Sequence, residues 1–281
     1  MNYLTLLTFL VFILGVTVGS FLNVVILRQG IGKGRRKRSI CLSCGGKLNS
    51  RDLVPILSFF WLKGRCRFCK SKISWQYPLV EIFTGALFGL SFWYVYLMKP
   101  TGFAIVNFLF LSVISSVLMI IFVYDLRHKI ISDWSVIVLG VLAFSRLVFL
   151  NWGNLAGSDF LFSLLSGFIV ALPFFLFWFL SRGRWMGLGD SKLMLGLGWF
   201  LGWSLCLPAT ALAFWIGAIV SIFLILVKNI STVAKKFAIF RRLPAVGLKT
   251  EVPFAPFLIF SALFSFFFNF NVFDVISRFF L

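Results

Sequence analysis

Two aspartates lie where apolar segments meet polar turns, and paired carboxylates at such positions can activate water. Asp190 closes a Gly-x-Gly-Asp motif within residues 187–192, and Asp125 ends a separate apolar segment 65 positions earlier. The chain contains only eight acidic residues, which makes these two candidates for a joint site. In such a pair the ionised carboxylate takes a proton from water, and the protonated one supports the oxyanion that forms. Two neighbouring carboxylates do not both ionise readily, so the pair would share one proton.

The glycines and the lysine of this motif have separate physical uses. Gly187 and Gly189 lack a β-carbon, so a substrate strand or a neighbouring helix can approach their backbone closely. Asp190 is expected near a helix start, where the helix dipole favours a carboxylate. Lys192 does not face Asp190 in a helix, so we expect no ion pair between them. The alternative interpretation is that Asp190 is only a helix N-cap.

Four cysteines predict a structural metal site. They form two Cys-x-x-Cys pairs separated by 21 residues: Cys41, Cys44, Cys66 and Cys69. Four thiolates suit the closed tetrahedral coordination of Zn²⁺, which leaves no position open for catalysis. Two disulfides or two redox pairs are the alternative, and a reducing cytosol disfavours disulfides. The fifth cysteine, Cys206, lies in an apolar segment and is expected to serve packing.

The elements that carry these residues belong to a membrane protein. The sequence is 60% hydrophobic and 12% charged, whereas soluble domains carry about 25% charged residues. Several apolar runs reach the roughly 18 residues that span a hydrocarbon core. We expect an all-α polytopic membrane protein with about eight transmembrane helices. A first transmembrane helix would occupy residues 1–27, a basic zinc-binding insert 28–77, and the membrane bundle 78–281.

Positive charge predicts how the chain is oriented in the membrane. The net charge is +19, and 13 Lys and Arg residues fall in the insert beside a single acid, Asp52. In a soluble protein this charge would suggest nucleic acid, but in a membrane protein it favours cytoplasmic loops and contact with anionic lipids. The basic run 30–38 is expected to lie along lipid headgroups, and 228–249 to form a second basic loop. Alternation of the spans then places both aspartates near the cytoplasmic face.

Other polar residues in apolar segments have open roles. Glu81 reaches the same depth, and it either extends toward a loop cation or takes part at the active face. Ser20 and Asn23 lie within the first apolar segment and are expected to hydrogen-bond to a neighbouring helix. His128 is the single histidine. It has no Gly-x-Ser-x-Gly or His-Glu-x-x-His motif to work with, which argues against serine- and zinc-hydrolase chemistry.

At these residues the chain resembles the type IV prepilin peptidases, a family of GxGD-type membrane aspartic proteases. The resemblance covers nearly the whole chain and includes both Cys-x-x-Cys pairs, Asp125 and the motif at 187–192. The other matching segments are 19–25, 52–55, 64–67, 73–81 and 253–257. Their order and spacing agree with the family throughout.

The resemblance implies a substrate and a second activity. Asp125 and Asp190 would be the catalytic pair that cleaves the short basic leader from prepilins and pseudopilins. Cleavage would take place on the cytoplasmic side of the bacterial inner membrane, for a type IV pilus or type II secretion system. Members with the four-cysteine insert also methylate the new N-terminus with S-adenosyl-L-methionine, so a bifunctional enzyme is implied. The residues that bind S-adenosylmethionine are not identified by any motif in the chain.

Three departures from the family pattern and two competing functions accompany this prediction. Leu42 and Ser132 stand where proline is common, and Ala255 replaces a frequent glycine. None of these is expected to touch the carboxylates or thiolates, although the change at Ser132 leaves any role of Asp133 open. The competing functions are an intramembrane GxGD protease with other substrates and a zinc-ribbon membrane scaffold whose acids are structural.

Overall fold

The computed structural model describes residues 3–29, 40–41, 43–97, 103–235 and 253–272, and these residues are almost entirely helical. Apart from one short 3₁₀ helix, Ser50–Leu53, the regular elements of the described part are α-helices. They are α1 Tyr3–Gln29, α2 Leu57–Trp61, α3 Gln76–Leu97, α4 Ala104–His128, α5 Asp133–Leu150, α6 Ser158–Ser181, α7 Leu188–Leu201, α8 Trp203–Lys235 and α9 Ala255–Phe268. The described residues contain two isolated β-bridges and no strand. The predicted all-α fold class is therefore confirmed.

Six of the described helices are long and apolar enough to cross a membrane, so the chain is a multi-pass membrane protein. They are α1, α3, α4, α5, α6 and the first 24 residues of α8. Two of the eight predicted spans correspond to shorter helices, α7 and α9, each of 14 residues. A helix of that length extends about 21 Å, which is less than the roughly 30 Å hydrocarbon core.

The helix α7 ends at Leu201, because Gly202 adopts a φ of 73°. The next helix begins at once and continues to Lys235, so it enters the segment expected to be a basic loop. The rest of that loop and the basic run 30–38 lie outside the described residues.

The chain divides into two compact units, and the first, Met1–Ile120, is built on close packing of α1 and α3. A β-carbon on Gly19 would lie 2.8 Å from the Glu81 Cα, so only glycine allows this approach. Asn23 Nδ2 donates a hydrogen bond to the Tyr77 carbonyl oxygen at 3.1 Å. The expectation that Asn23 bonds to a neighbouring helix is thus confirmed, since α3 carries that carbonyl.

The second unit, Ile121–Leu281, is organised around α7, which packs against α5, α6, α8 and α9. The closest approach is to α6, where a β-carbon on Gly198 would lie 2.5 Å from the Gly167 Cα. Ser166 Oγ donates to the Gly198 carbonyl oxygen at 2.9 Å across the same contact. At the other end of α7, the Arg146 guanidinium lies 5.7 Å from the Phe200 ring centroid. The short helix that begins with the Gly-x-Gly-Asp motif is therefore held on several sides.

Candidate active site and metal site

Asp125 lies in the last turn of α4, where its side chain is buried. The helix ends three residues later, because Lys129 adopts a left-handed φ of 54°. The backbone N–H of Ala255 donates a hydrogen bond to the Asp125 carboxyl group. Ala255 is the first residue of α9, so this carboxyl group sits at a helix N-terminus, where negative charge is favoured. Within the described residues, Asp125 Oδ2 is buried and has no hydrogen-bond partner.

Asp190 lies in the first turn of α7 and also faces backbone donors at a helix N-terminus. Gly187 is the N-cap residue, with φ −75° and ψ 148°. The Asp190 carboxyl group, three residues later, accepts a hydrogen bond from the Gly187 backbone N–H. This is one half of a capping box, in which the third helical residue reaches back to the cap. The interpretation of Asp190 itself as the N-cap is therefore wrong, because Gly187 occupies that position.

The structure brings the two carboxyl groups together. Asp125 and Asp190 are close enough for direct electrostatic repulsion between them. Their helices α4 and α7 supply the two carboxyl groups, while the N-termini of α7 and α9 supply the hydrogen-bond donors. Repulsion between the two carboxyl groups disfavours ionisation of both, whereas the backbone N–H donors favour ionisation of one. The arrangement therefore suits a pair of carboxyl groups that shares one proton. The catalytic role of the two residues stays a prediction.

Gly189 and Gly187 differ in what surrounds them. A β-carbon on Gly189 would lie 2.9 Å from Ile131 Cβ, inside the turn that follows Asp125. A β-carbon on Gly187 would make only ordinary contacts, the nearest at 3.7 Å to Asp190 Oδ2. Close approach of α7 to the turn after α4 therefore depends on Gly189. Close packing within the chain is thus seen at Gly189, and approach of a substrate strand to either glycine stays a prediction.

Lys192 and His128 lie near the pair in sequence but have other partners. Lys192 Nζ forms an ion pair with Asp133 Oδ1 at 2.6 Å, and both side chains are exposed. This contact links α7 to the first residue of α5. His128 is exposed, and its ring lies 4.5 Å from the Tyr124 ring. The lysine of the motif thus binds a neighbouring helix.

Glu81 is buried in the first unit, where it binds the insert. Its Oε2 accepts a hydrogen bond from the Ile56 backbone N–H at 2.7 Å. The side chain of Ser20 in α1 also hydrogen-bonds to the Glu81 carboxyl group. Among the described residues, the hydrogen-bond partners of Glu81 are a backbone N–H and a hydroxyl group. Both interpretations of Glu81 stay predictions, because the basic run 30–38 lies outside the described residues.

The four predicted metal-ligating cysteines form one cluster. Their Sγ atoms all lie within 4.8 Å of one another. Cys41 and Cys69 have Sγ atoms 3.9 Å apart, which is far too long for a disulfide bond. Two ligands of a tetrahedral Zn²⁺ with bonds of about 2.3 Å would lie about 3.8 Å apart. The described cysteines are all free thiols, so the two-disulfide alternative is wrong and the cluster fits a tetrahedral metal ion.

The surroundings of the cluster favour the thiolate, the form that binds metal, at two of its four cysteines. At Cys44, the Gly46 backbone N–H is outweighed by desolvation and the neighbouring thiols, which raise the pKa to about 11. Backbone N–H groups of Cys44 and Ser43 lower the pKa of the Cys41 thiol to about 6. Ser71, whose Oγ lies 3.1 Å from Cys69 Sγ, lowers the pKa of the Cys69 thiol. Thiolates are the metal-binding state of cysteine. The donor set therefore matches a structural metal site.

Asp52 and Arg67 brace the same module. Arg67 Nη2 lies 2.6 Å from Asp52 Oδ1, and the Asp52 side chain is almost fully buried. Asp52 Oδ2 also accepts the Asn49 backbone N–H at 3.1 Å, at the start of the 3₁₀ helix. The one acid of the insert is thus neutralised inside it. Cys206 lies elsewhere, fully buried in α8.

Ala255 is the residue at the site that sequence reasoning missed. It was expected, as a departure from a glycine, to leave the carboxylates unaffected, yet its backbone N–H binds Asp125. It is also fully buried. The motif at residues 253–257 was the only sequence signal for Ala255, because the role of a backbone N–H donor cannot be recognised from the type of side chain. Leu42, another departure, lies outside the described residues.

The fold and these sites define a multi-pass helical membrane protein with a carboxylate pair, in which Asp125 is buried and Asp190 half-buried, and a four-cysteine module. A family model described as the Bacterial Peptidase A24 N-terminal domain matches residues 13–95, and one described as the Type IV leader peptidase family matches residues 112–222. The chain belongs to the type IV leader peptidase family. The resemblance predicted from the motifs is confirmed.

Named relatives agree with this assignment. A prepilin leader peptidase/N-methyltransferase of Myxococcus xanthus is 36% identical over 220 residues, covering 76% of this chain and 62% of that protein, so the match spans less than two thirds of it. Proteins of the same name from Aeromonas salmonicida and Klebsiella pneumoniae are 31% and 34% identical. Those matches cover 78% and 72% of this chain and 82% and 87% of the relatives. No solved structure matches the chain.

Proposed function

We propose that this protein is a membrane aspartic endopeptidase that removes the leader peptide from type IV prepilins and pseudopilins. The observation that carries the proposal is the pairing of Asp125 and Asp190, two carboxyl groups placed together at the N-termini of helices. The names of the relatives supply the substrate class.

The chemistry follows from one proton shared between two carboxyl groups. The ionised group takes a proton from water as the water oxygen attacks the peptide carbonyl carbon. The protonated group donates a hydrogen bond to the carbonyl oxygen as negative charge develops there. When the C–N bond breaks, a proton passes to the leaving amine and the pair returns to its shared-proton state. Each step uses only the two aspartates and water.

We further propose N-methylation of the new N-terminus, with S-adenosyl-L-methionine as the methyl donor. The support is the double name of the relatives and the presence of the four-cysteine insert. Zn²⁺ is the metal proposed for that insert, held by Cys41, Cys44, Cys66 and Cys69 in a purely structural role. We assign no residue in the described part of the chain to S-adenosylmethionine. Residues 28–77 form the zinc-binding insert in this proposal, and 78–281 the peptidase bundle.

The proposed setting is the bacterial inner membrane, with the active site toward the cytoplasm. Its support is the distribution of Lys and Arg, which cluster in the insert and in the turns on the side of both aspartates. A net charge of +19 is balanced in this setting by anionic lipids, and no nucleic-acid partner is proposed.

The test is cleavage of a purified prepilin by the purified chain in detergent. Mass spectrometry of the product should show loss of the leader and, when S-adenosylmethionine is added, a mass increase of one methyl group at the new N-terminus. Cleavage without methylation would reject only the second activity. Cleavage of unrelated transmembrane helices in place of the prepilin would favour a general intramembrane protease. Failure to cleave any of these substrates would favour a membrane scaffold.

A Gly189→Ala variant is expected to cleave about tenfold or more slowly than the wild type. The added methyl group would push α7 away from Ile131 and so separate the two carboxyl groups, and small displacements of reacting groups cost large factors in rate. Gly140→Ala, in α5, is the matched control, because its β-carbon would meet nothing closer than the Trp199 ring at 3.9 Å, and its rate should stay within about threefold of the wild type. Initial rates of prepilin cleavage measure both, and equal rates would contradict the packing role of Gly189.

A further inference from the structure

The short helix α2 exposes large apolar side chains that neither proposed site uses. Leu57, Phe60 and Trp61 are 59%, 58% and 78% exposed. Their spacing of three and four residues places them on one face of the helix. Phe59, on the opposite face, is buried and packs against the Trp75 ring at 4.8 Å. We call the three exposed side chains the α2 face.

The position of α2 is fixed relative to a membrane-spanning helix. Ile56 immediately precedes α2, and its backbone N–H is bound by Glu81 Oε2 at 2.7 Å. Glu81 lies five residues after the first residue of α3, a candidate membrane span. At a rise of 1.5 Å per residue, that depth is about 7.5 Å along the helix axis. The start of α2 is therefore held at the edge of the apolar layer, since α3 must cross that layer.

The backbone at Ile56 is strained, which shows that the position of α2 is enforced. Ile56 has φ 60° and ψ −57°, and the Leu57 N–H bonds to the Pro55 carbonyl oxygen at 2.6 Å. These values describe a γ-turn of the rare form with positive φ. A β-branched residue rarely adopts positive φ unless its surroundings require it. The hydrogen bond to the buried Glu81 meets that requirement, so the chain bends sharply there and α2 leaves in a set direction.

The charge around the α2 face matches an anionic lipid surface. The described residues between 40 and 77 expose six basic residues besides Arg67: Lys47, Arg51, Lys63, Arg65, Lys70 and Lys72. Its single acid, Asp52, is buried and paired with Arg67. Tryptophan together with basic residues is typical of protein surfaces at the membrane interface. An apolar face at this depth, with only positive charge around it, fits lipid headgroups and the acyl chains next to them.

We propose that the α2 face is a membrane-interface anchor for the four-cysteine module. Leu57, Phe60 and Trp61 enter the boundary between headgroups and acyl chains, and Lys63 lies at the level of the lipid phosphates. The anchor holds the module against the membrane surface at a fixed depth, through the bond between Ile56 and Glu81. This proposal does not depend on the proposed proteolysis, because it concerns only where the insert lies.

The test measures the depth of Trp61 in the full chain, labelled with 5-fluorotryptophan and placed in lipid nanodiscs containing phosphatidylglycerol. Comparison with a Trp61→Phe variant identifies the Trp61 fluorine NMR signal. A lipid with a spin label near its headgroup should raise the relaxation rate of that signal at least twofold more than a water-soluble gadolinium chelate does. The opposite order would place α2 in water and overturn the proposal.

Two variants and one ligand sharpen the test. In the Phe60→Asp variant, the gadolinium chelate should raise the relaxation rate of the Trp61 signal more, and the lipid spin label should raise it less, than in the wild type. In the Phe60→Leu variant, both relaxation rates should stay unchanged. The metal content should be equal in the two variants. An unchanged Trp61 signal in Phe60→Asp would contradict insertion of the α2 face. Protection of Trp61 from both probes only after addition of a prepilin would instead identify the face as a protein-docking surface. The wild-type measurement decides the question even if the Asp variant does not fold.

Discussion

Asp125→Asn and Asp190→Asn variants should each cleave a prepilin at least about 10³-fold more slowly than the wild type. An amide can neither take a proton from water nor share one with its partner, so either substitution removes the pair. Asn has nearly the same shape as Asp, and at position 125 its oxygen can still accept the hydrogen bond from Ala255. Each variant should therefore lose cleavage activity because the carboxyl pair is gone, and it should remain folded. Initial cleavage rates and thermal denaturation of each purified variant measure the two effects separately.

The matched control for these variants is Asp133→Asn. Asp133 lies in the same unit, but its side chain is 70% exposed and pairs with Lys192 at the surface. Exposed ion pairs contribute about 0–1 kcal/mol, so we expect its cleavage rate within about threefold of the wild type. Full activity of either the Asp125 or the Asp190 variant would rule out the shared-proton mechanism. A comparable loss in the Asp133 variant would show that the assay responds to charge in general.

Removal of the metal is the second large effect that we expect. The wild type should hold about one zinc ion per chain, and the Cys41→Ser/Cys66→Ser double variant should hold less than about a tenth of that. Structural zinc sites contribute about 10–16 kcal/mol of apparent binding free energy near neutral pH. The insert has few other buried groups, so it should unfold without metal and become sensitive to protease. Metal analysis by mass spectrometry and limited proteolysis measure the two outcomes.

Cys206→Ala is the control for the metal experiment. Cys206 is fully buried in α8, and its Sγ lies 3.3 Å from the Trp203 carbonyl oxygen, away from the other thiols. This variant should keep its zinc and the protease resistance of its insert. Unchanged zinc content in the double variant would exclude the four-cysteine cluster as the metal site. Loss of zinc from the Cys206 variant would show instead that metal content reports general unfolding.

The sequence alone determined the helical membrane fold and the four-cysteine cluster, and both depend on local physics. A long apolar segment must form a helix in lipid, because its backbone groups have no water to bond to. Two Cys-x-x-Cys pairs need only come together to complete a tetrahedral set, so spacing predicts the cluster seen at Cys41, Cys44, Cys66 and Cys69. The family followed from the same local motifs.

Only the tertiary structure decided what surrounds the carboxylates and what holds the insert. Ala255 lies 130 positions after Asp125, yet its backbone N–H binds that carboxyl group. Gly189 proved to be the tightly packed glycine of the motif, because Ile131 lies against it and nothing comparable lies against Gly187. The strained turn at Ile56 exists because a buried Glu81 binds it. Each of these contacts joins the backbone of one segment to a side chain of a distant one, and residue type and spacing carry no information about which backbone a side chain will meet.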